Sequence, residues 1–231
     1  MSDRVLLITG ASRGLGAATA RRAAEAGYRL ALLARNRDAV GALARESDGL
    51  ALSADVSDPD SVSAAVAEVT DRFGRLDAVF ANAGQLVQAS FFGDGGAEPS
   101  QWRDMILTNV YGLAVTARAT LPALASSGGH LVITGSVAGR HIRKDGAGLY
   151  SATKWAATAI AGSIREEAVG TGVRVTIVQP GLVDTEMISD AQRAKPNLVP
   201  DDIARAVLYA LDQPPSVDVN EIVVRPTGQV L

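Results

Sequence analysis

The amino-acid sequence predicts an α/β fold, a doubly wound parallel sheet of about seven strands with helices on both faces. Short apolar runs rich in Val, Leu and Ile alternate with longer amphipathic stretches from one end of the chain to the other. Such runs are typical of strands buried on both faces, and the longer stretches are typical of helices that cover them. The chain has 231 residues with no composition break or internal repeat, so we expect one domain over residues 1–231.

Apolar runs bounded by turn residues define the predicted strands. In chain order they are Val5–Thr9, Arg29–Ala34, Leu50–Ala54, Ala78–Ala81, His130–Thr134, Val173–Val178 and Glu221–Val224. Because a helical pattern separates each run from the next, we expect parallel strands joined by right-handed crossovers.

Amphipathic stretches between these runs define the predicted helices. They are Leu15–Ala26, Asp38–Glu46, Pro59–Arg72, Gln101–Leu124, Ser151–Ala168 and Asp201–Leu211. Gly27 follows the first helix as a C-terminal capping glycine does. Asp58 precedes Pro59, which places a capping side chain before a proline at the first helical position.

Composition excludes several classes of function. The chain is 47% hydrophobic and 20% charged with a formal net charge of −3, which indicates a globular protein without a basic surface for nucleic acid. It has no cysteine, so disulfides, thiolate metal sites and cysteine nucleophiles are excluded. The two histidines and the scattered carboxylates show no metal-ligand spacing. We therefore expect neither a metal nor a nucleic-acid partner.

The N-terminus and the longest apolar stretches bear on location. The apolar run after Arg4 is too short for a signal peptide and ends in a glycine-rich turn. No stretch of about 18 uncharged apolar residues follows. We expect a cytoplasmic protein that does not enter a membrane.

A glycine-rich turn follows the first predicted strand. Gly10, Gly14 and Gly16 stand between that strand and the first helix. Backbone N–H groups and a helix N-terminus in such a turn bind phosphate. Glycine is needed where the backbone has positive φ, where it approaches the pyrophosphate and where the helix packs on the strand. A lone glycine turn is weak evidence, but its place after a strand and before a helix favours a dinucleotide site.

The end of the second strand predicts which dinucleotide binds. An acidic residue there accepts a bond from the ribose 2′-OH, whereas arginine accommodates a 2′-phosphate. Arg35 follows this strand and Arg13 lies in the glycine turn. Isolated surface arginines are usually only solvated, but two at one corner can clamp a phosphate. The sequence therefore predicts a preference for NADP(H).

Tyr150 and Lys154 are four residues apart at the start of a helical pattern, which places both on one face. A free tyrosine has a pKa of about 10. A nearby ammonium favours the phenolate and lowers that pKa towards the range useful for general acid–base work. Taken alone, a packed tyrosine beside a solvated lysine is the commoner explanation of such a pair.

The order of motifs resembles the short-chain dehydrogenase/reductase family over nearly the whole chain, which implies a Rossmann-like fold. Thr9–Gly16 is similar to the family's T-G-x-x-x-G-x-G turn, and Tyr150 and Lys154 to its Y-x-x-x-K pair. The other matches are Asp55-Val56 after the third strand, Asn82-Ala83-Gly84 after the fourth, Asn109 in the fourth helix, Ser136 after the fifth strand and Pro180–Thr185 after the sixth.

The resemblance implies two sets of site residues. The cofactor set is Gly10, Ser12, Arg13, Gly14, Leu15, Gly16, Arg35, Asp55, Val56, Asn82, Ala83, Gly84, Lys154, Pro180, Gly181, Val183 and Thr185. The catalytic set is Asn109, Ser136, Tyr150 and Lys154. Tyr150 exchanges a proton with the substrate oxygen, and Ser136 holds that oxygen, with Thr134 as a fallback hydroxyl. Lys154 lowers the tyrosine pKa and bonds the nicotinamide ribose, while Asn109 anchors a water that leads to solvent.

The resemblance also implies an activity. We expect an NADP(H)-dependent oxidoreductase acting on CH–OH donors, which interconverts a ketone or aldehyde and an alcohol by hydride transfer. Two alternatives stay open: a dehydratase or epimerase on the same fold, and an NADP(H)-sensing regulatory protein without turnover. The complete set of four catalytic residues favours redox chemistry.

The substrate pocket and the assembly are expected from the same resemblance. The expected pocket is formed by three segments, Gln85–Phe92, Val137–Leu149 and 185–200, the last of which forms a lid. Its apolar residues include Phe91 and Phe92. Its charged residues are Arg140, Arg143 and Lys144. Helices Gln101–Leu124 and Ser151–Ala168 imply a homodimer or homotetramer. Residues 219–229 resemble the ending of a subgroup that includes reductases of small 3-hydroxy acids.

Overall fold

The structure is a computed structural model that describes residues 3–92, 95–142 and 147–229. Its seven strands form one sheet in the order β3-β2-β1-β4-β5-β6-β7. All six neighbouring pairs are parallel. The strands are β1 Val5–Thr9, β2 Arg29–Ala34, β3 Leu50–Ser53, β4 Ala78–Ala81, β5 His130–Thr134, β6 Arg174–Pro180 and β7 Glu221–Val224. The predicted doubly wound sheet is confirmed.

Helices connect the strands and cover both faces of the sheet. They are α1 Gly14–Glu25, α2 Asp38–Glu46, α3 Pro59–Phe73, α4 Pro99–Ile106, α5 Gly112–Ser127, α6 Gly148–Glu167, α7 Asp190–Arg193 and α8 Pro200–Leu211. Asp58 caps α3 through its side chain, which accepts from Asp60 N and Ser61 N. Gly27 has φ +83° just beyond α1, as a glycine after a helix is expected to have.

The predicted helix Gln101–Leu124 is wrong as a single element. A π-helical turn, Leu107–Tyr111, separates α4 from α5. Gly112 then packs closely against the segment after β3, because a Cβ on it would lie 2.7 Å from Val56 Cγ2. Apolar periodicity does not distinguish a π turn from α-helix, and such turns often occur at functional sites.

Side chains of alternate residues in the sheet enter two apolar layers. In β1, Val5 and Leu7 join the layer beneath α3, α5 and α6, whereas Leu6 and Ile8 join the layer beneath α1, α2 and α8. Both faces of the strand are therefore buried, as its unbroken apolar run indicated.

The chain reverses its direction of winding between β1 and β4, which are neighbours in the sheet. At such a switch point the connecting loops diverge and leave a crevice at the carboxyl ends of the strands. Within the described ranges, no helix is both long enough and apolar enough to span a bilayer. The same ranges contain no group of three His, Asp or Glu side chains that could hold a metal ion.

Candidate active site

A cleft of about 1250 Å³ opens at the carboxyl ends of the strands. It is lined by every predicted cofactor and catalytic residue except Gly16 and Asn109. Residues far apart in the chain are brought together here because parallel strands end at the same edge of a sheet. Gly16 and Asn109 lie behind the wall of the cleft, where they support it.

The glycine turn is built by close backbone contacts. Gly10 has φ +64° and Gly14 has φ +54°, a region that disfavours a side chain. A Cβ on Gly10 would lie 2.9 Å from Ala83 Cα, and one on Gly16 would lie 2.3 Å from Gly10 O. Gly16 therefore allows α1 to pack on the turn itself.

Asn82 ties the glycine turn to the neighbouring strands. Its side-chain N–H donates to Thr9 O at 3.1 Å and to Gly10 O at 3.2 Å. Its side-chain oxygen accepts from Thr134 Oγ1 at 3.1 Å. Thr9 Oγ1 in turn accepts from the backbone of Asn82 and Ala83, both at 3.0 Å. These bonds therefore link the glycine turn to the ends of β4 and β5.

The far end of the cleft carries the groups expected around an adenosine. The Asp55 carboxylate accepts from Ser57 Oγ at 2.6 Å and Ser57 N at 2.9 Å, and these bonds hold the pKa of Asp55 below its usual range. Arg35 lines the same end. Arg13 contacts the predicted lid, with its Nη1 2.6 Å from Glu186 Oε2.

Tyr150 and Lys154 lie one helical turn apart on α6, at the other end of the cleft. Their exposed fractions are 8% and 5%. Lys154 Nζ lies 5.8 Å from the centre of the Tyr150 ring and donates to Thr134 O at 2.8 Å. Burial lowers the pKa of Lys154 to about 8, because a desolvated ammonium loses its hydration. The solvated lysine that the sequence left open is therefore ruled out.

Ser136 lies between β5 and a short 3-10 turn, Val137–Gly139. Its Oγ accepts from Ala138 N at 3.1 Å and lies 3.5 Å from Pro180 O. Both Ser136 and Tyr150 line the cleft, so a hydroxyl and a phenol face one space.

Asn109 lies in the π-helical turn, where its side chain clamps two segments. Its Oδ1 accepts from Gln85 N at 2.9 Å, and its Nδ2 donates to Gln85 O at 2.8 Å. The same Nδ2 donates to Thr153 Oγ1 at 3.1 Å. Asn109 thus fastens the loop after β4 to the residue before Lys154. The predicted water anchored by Asn109 stays a prediction.

Sequence reasoning missed several residues that complete the site. Thr134 was only a fallback hydroxyl, yet its side chain and carbonyl hold Asn82 and Lys154. Gln229 accepts from Leu182 N at 3.3 Å, and a Cβ on Gly181 would lie 2.1 Å from Gln229 Oε1. No local signal in the sequence marks Gln229, because its contact joins the C-terminal segment to the loop after β6.

Three residues predicted near substrate lie elsewhere. Arg140 forms an ion pair with Glu221 at the start of β7 and does not line the cleft. Phe91 and Phe92 are 72% and 97% exposed, and Phe91 contacts Trp102 edge to face at 5.9 Å between ring centres. Arg143 and Lys144 lie outside the described residues.

The cleft fits a nicotinamide dinucleotide. It runs from Arg35 and Asp55 past the glycine turn to Tyr150 and Lys154. Gly10 and Gly14 have no side chains that would keep a pyrophosphate away from the backbone of the turn. Lys154 lies buried at the inner end of this cleft.

Comparison with known proteins gives one consistent result. The family model described as short chain dehydrogenase matches residues 4–196. An uncharacterized oxidoreductase of Staphylococcus haemolyticus is 38% identical, over 98% of both chains.

Solved structures are also similar to this chain over nearly its whole length. The alcohol dehydrogenase from the archaeon Thermococcus sibiricus, complexed with 5-hydroxy-NADP, is 34% identical with a TM-score of 0.88, and the match covers 99% of this chain and 98% of that one. A metagenomic short-chain oxidoreductase in complex with NADP is 31% identical with a TM-score of 0.83, over 98% of both chains.

Proposed function

Because the chain belongs to the short-chain dehydrogenase family, a family of oxidoreductases, we propose that it interconverts a ketone or aldehyde and an alcohol with NADP(H). The observation that carries this proposal is the buried Lys154 ammonium beside Tyr150, with Ser136 facing the same space. These groups can give a proton to a carbonyl oxygen and stabilise its developing charge.

Tyr150 is the general acid in reduction and the general base in oxidation. The Tyr150 hydroxyl gives its proton to the substrate oxygen, and the Ser136 hydroxyl donates a hydrogen bond to that same oxygen. Lys154 stabilises the phenolate that remains, because its positive charge lies 5.8 Å from the ring centre. When bound, the nicotinamide cofactor supplies the hydride to the carbonyl carbon or accepts it in the reverse direction.

We assign the cofactor residues by the resemblance, and all of them except Gly16 line the same cleft. The glycine turn holds the pyrophosphate, Asp55 and Val56 contact the adenine, and Pro180, Gly181, Val183 and Thr185 hold the nicotinamide. Arg13 and Arg35 bind a 2′-phosphate, which is the basis for the proposed NADP(H) preference. Two similar structures that were solved with NADP or 5-hydroxy-NADP support this preference.

Residues 185–200 act as a lid over the substrate. Backbone hydrogen bonds join the two ends of this segment. Asp184 N donates to Leu198 O at 2.8 Å, and Leu198 N donates to Leu182 O at 2.9 Å. Arg193 adds a bond to Thr185 O at 2.8 Å. Between these bonds the segment borders the cleft, which is lined by Glu186, Met187, Ile188, Gln192, Lys195 and Pro196.

Replacing Tyr150 with Phe tests the proposed acid. We expect Tyr150→Phe to bind NADPH normally, by fluorescence titration, and to lose carbonyl reduction by at least about 100-fold, because the proton donor is gone. Reduction is followed as NADPH absorbance with a panel of ketones, aldehydes and oxo acids. Tyr209→Phe, on the exposed face of α8, is the matched control with wild-type rates. A Tyr150→Phe rate near that of the wild type would refute the assignment.

A further inference from the structure

A side chamber of about 440 Å³ lies between the lid and the loop that follows β4. The loop supplies Leu86, Val87 and Ala97, the lid supplies Met187 and Ile188, and Ala147 closes the inner wall. The two described limbs of this loop are joined, because Ala97 N donates to Gln88 O at 2.8 Å and a bridge links Ala89 and Gly96.

The chamber adjoins the cleft that holds the reacting groups. Leu86, Met187 and Ile188 line both the chamber and the main cleft. Ala147 and Tyr150 belong to one buried apolar cluster, against which Leu86 and Val87 also pack. The space in front of Tyr150 and Ser136 and the chamber therefore share a wall.

The described residues that line the chamber carry no charged side chain. Among the residues that the structure describes, none that lines it is Asp, Glu, Lys, Arg or His. Of its polar members, Ser189 Oγ and Gln192 Oε1 are bonded to each other at 3.3 Å as part of the cap of α7. A charged group placed there would meet no charged partner among these described residues, whereas an alkyl group would gain from leaving water.

We propose that this chamber binds an apolar substituent of the substrate, so that the enzyme acts on carbonyl compounds with an uncharged alkyl or alicyclic arm rather than on small oxo acids. The inference rests on the proposed function and names the substrate class of its site. It departs from the small 3-hydroxy acids that the ending of the sequence suggested.

A series of unbranched 2-ketones from butan-2-one to nonan-2-one tests the proposal. With NADPH saturating, we expect kcat/KM of the wild-type protein to rise up to about fourfold for each added methylene, the gain from burying one such group. The rise should stop when the chamber is full. A flat series, or faster reduction of small 3-oxo acids than of the longer ketones, would overturn the proposal.

Two variants locate the effect in the chamber. Ala97→Phe narrows it, so the rise with chain length should stop at a shorter ketone; Val87→Ala widens it, so the rise should continue to a longer one. Ala64→Phe, on the exposed face of α3, makes the first change outside the site and should keep the wild-type profile. Identical profiles in all four proteins would place the preference elsewhere and overturn the assignment.

The failure of this inference is distinguishable from failure of the proposed function. Reduction of oxo acids without a gain from longer alkyl chains contradicts the chamber alone. No reduction of any ketone, aldehyde or oxo acid by a protein that binds NADPH contradicts both.

Discussion

The Lys154 ammonium is buried, and burial disfavours the charged form of a lysine. The side chain is 5% exposed, and burial lowers its pKa to about 8. The bond from Nζ to Thr134 O at 2.8 Å compensates part of the lost hydration. A lysine tuned in this way loses its proton within the range of an ordinary enzyme assay, so pH can test its role.

The pH dependence of reduction follows from the direction of this shift. Below a pH of about 8 Lys154 is charged and stabilises the Tyr150 phenolate; above it the charge is lost. We expect kcat/KM for NADPH, which reports ionisations of the free enzyme, to fall as pH rises through about 8. Arginine stays charged at every pH of such an assay. In Lys154→Arg the fall of kcat/KM should therefore occur at higher pH, and kcat/KM itself should be lower than in the wild type. If kcat/KM falls at the same pH in Lys154→Arg as in the wild type, the fall is caused by another group.

Two elements meet at the end of the cleft to which we assign the proposed cofactor preference. The glycine turn after β1 carries Arg13, and the end of β2 carries Arg35; both line one end of the cleft. Arg13 also contacts Glu186 of the lid, an exposed pair that contributes little by itself. Arg35 is therefore the better position at which to test phosphate binding.

Arg35→Asp should erode the preference for NADPH. Loss of a charge-assisted bond to phosphate costs about 1.5–3 kcal/mol, so we expect the ratio of kcat/KM for NADPH to that for NADH to fall at least about tenfold. Arg37→Asp is the matched control, since Arg37 pairs with Glu68 at 3.6 Å and does not line the cleft. Equal ratios in the Arg35→Asp variant and the wild type would contradict the proposed phosphate site.

The whole molecule depends on a sheet buried on both faces, and His130 lies inside it. The side chain is 1% exposed, and its Nε2 lies 2.7 Å from Thr176 Oγ1. Because Thr176 donates its own proton to Val219 O, His130 Nε2 is the donor and Nδ1 is unprotonated. Within the described part of the chain, Nδ1 has no hydrogen-bond partner. Burial, with Arg174 nearby, lowers the pKa of His130 to about 3.

Global stability should therefore decrease in mild acid. An unfolded histidine binds a proton below a pH of about 6.5, whereas folded His130 stays neutral down to about 3. The free energy of unfolding should fall by up to about 1.4 kcal/mol per pH unit below about 6.5. Urea titrations at pH 7, 6 and 5 measure this slope. His130→Gln should remove this pH dependence of the unfolding free energy, whereas His141→Gln, at an exposed position, should retain it. An equal slope in both variants would contradict the assignment to His130.

The sequence alone determined the order of the elements and the local parts of the site. Apolar periodicity predicts β1 and β2 to the residue, because both faces of these strands are buried. The glycine turn and the Tyr150–Lys154 pair are equally local, since one depends on backbone φ and the other on helical spacing. The predicted dimer or tetramer stays a prediction.

Only the tertiary structure decided which distant groups meet. Asn109 clamps Gln85, Thr134 holds Lys154, and Gln229 contacts the loop after β6. Arg140 lies near enough to the site in sequence to suggest a pocket charge, yet it pairs with Glu221 on β7. These contacts depend on strand order, register and the crossovers between strands. Side-chain chemistry and spacing specify which groups can react, whereas packing specifies which of them face one another across the cleft.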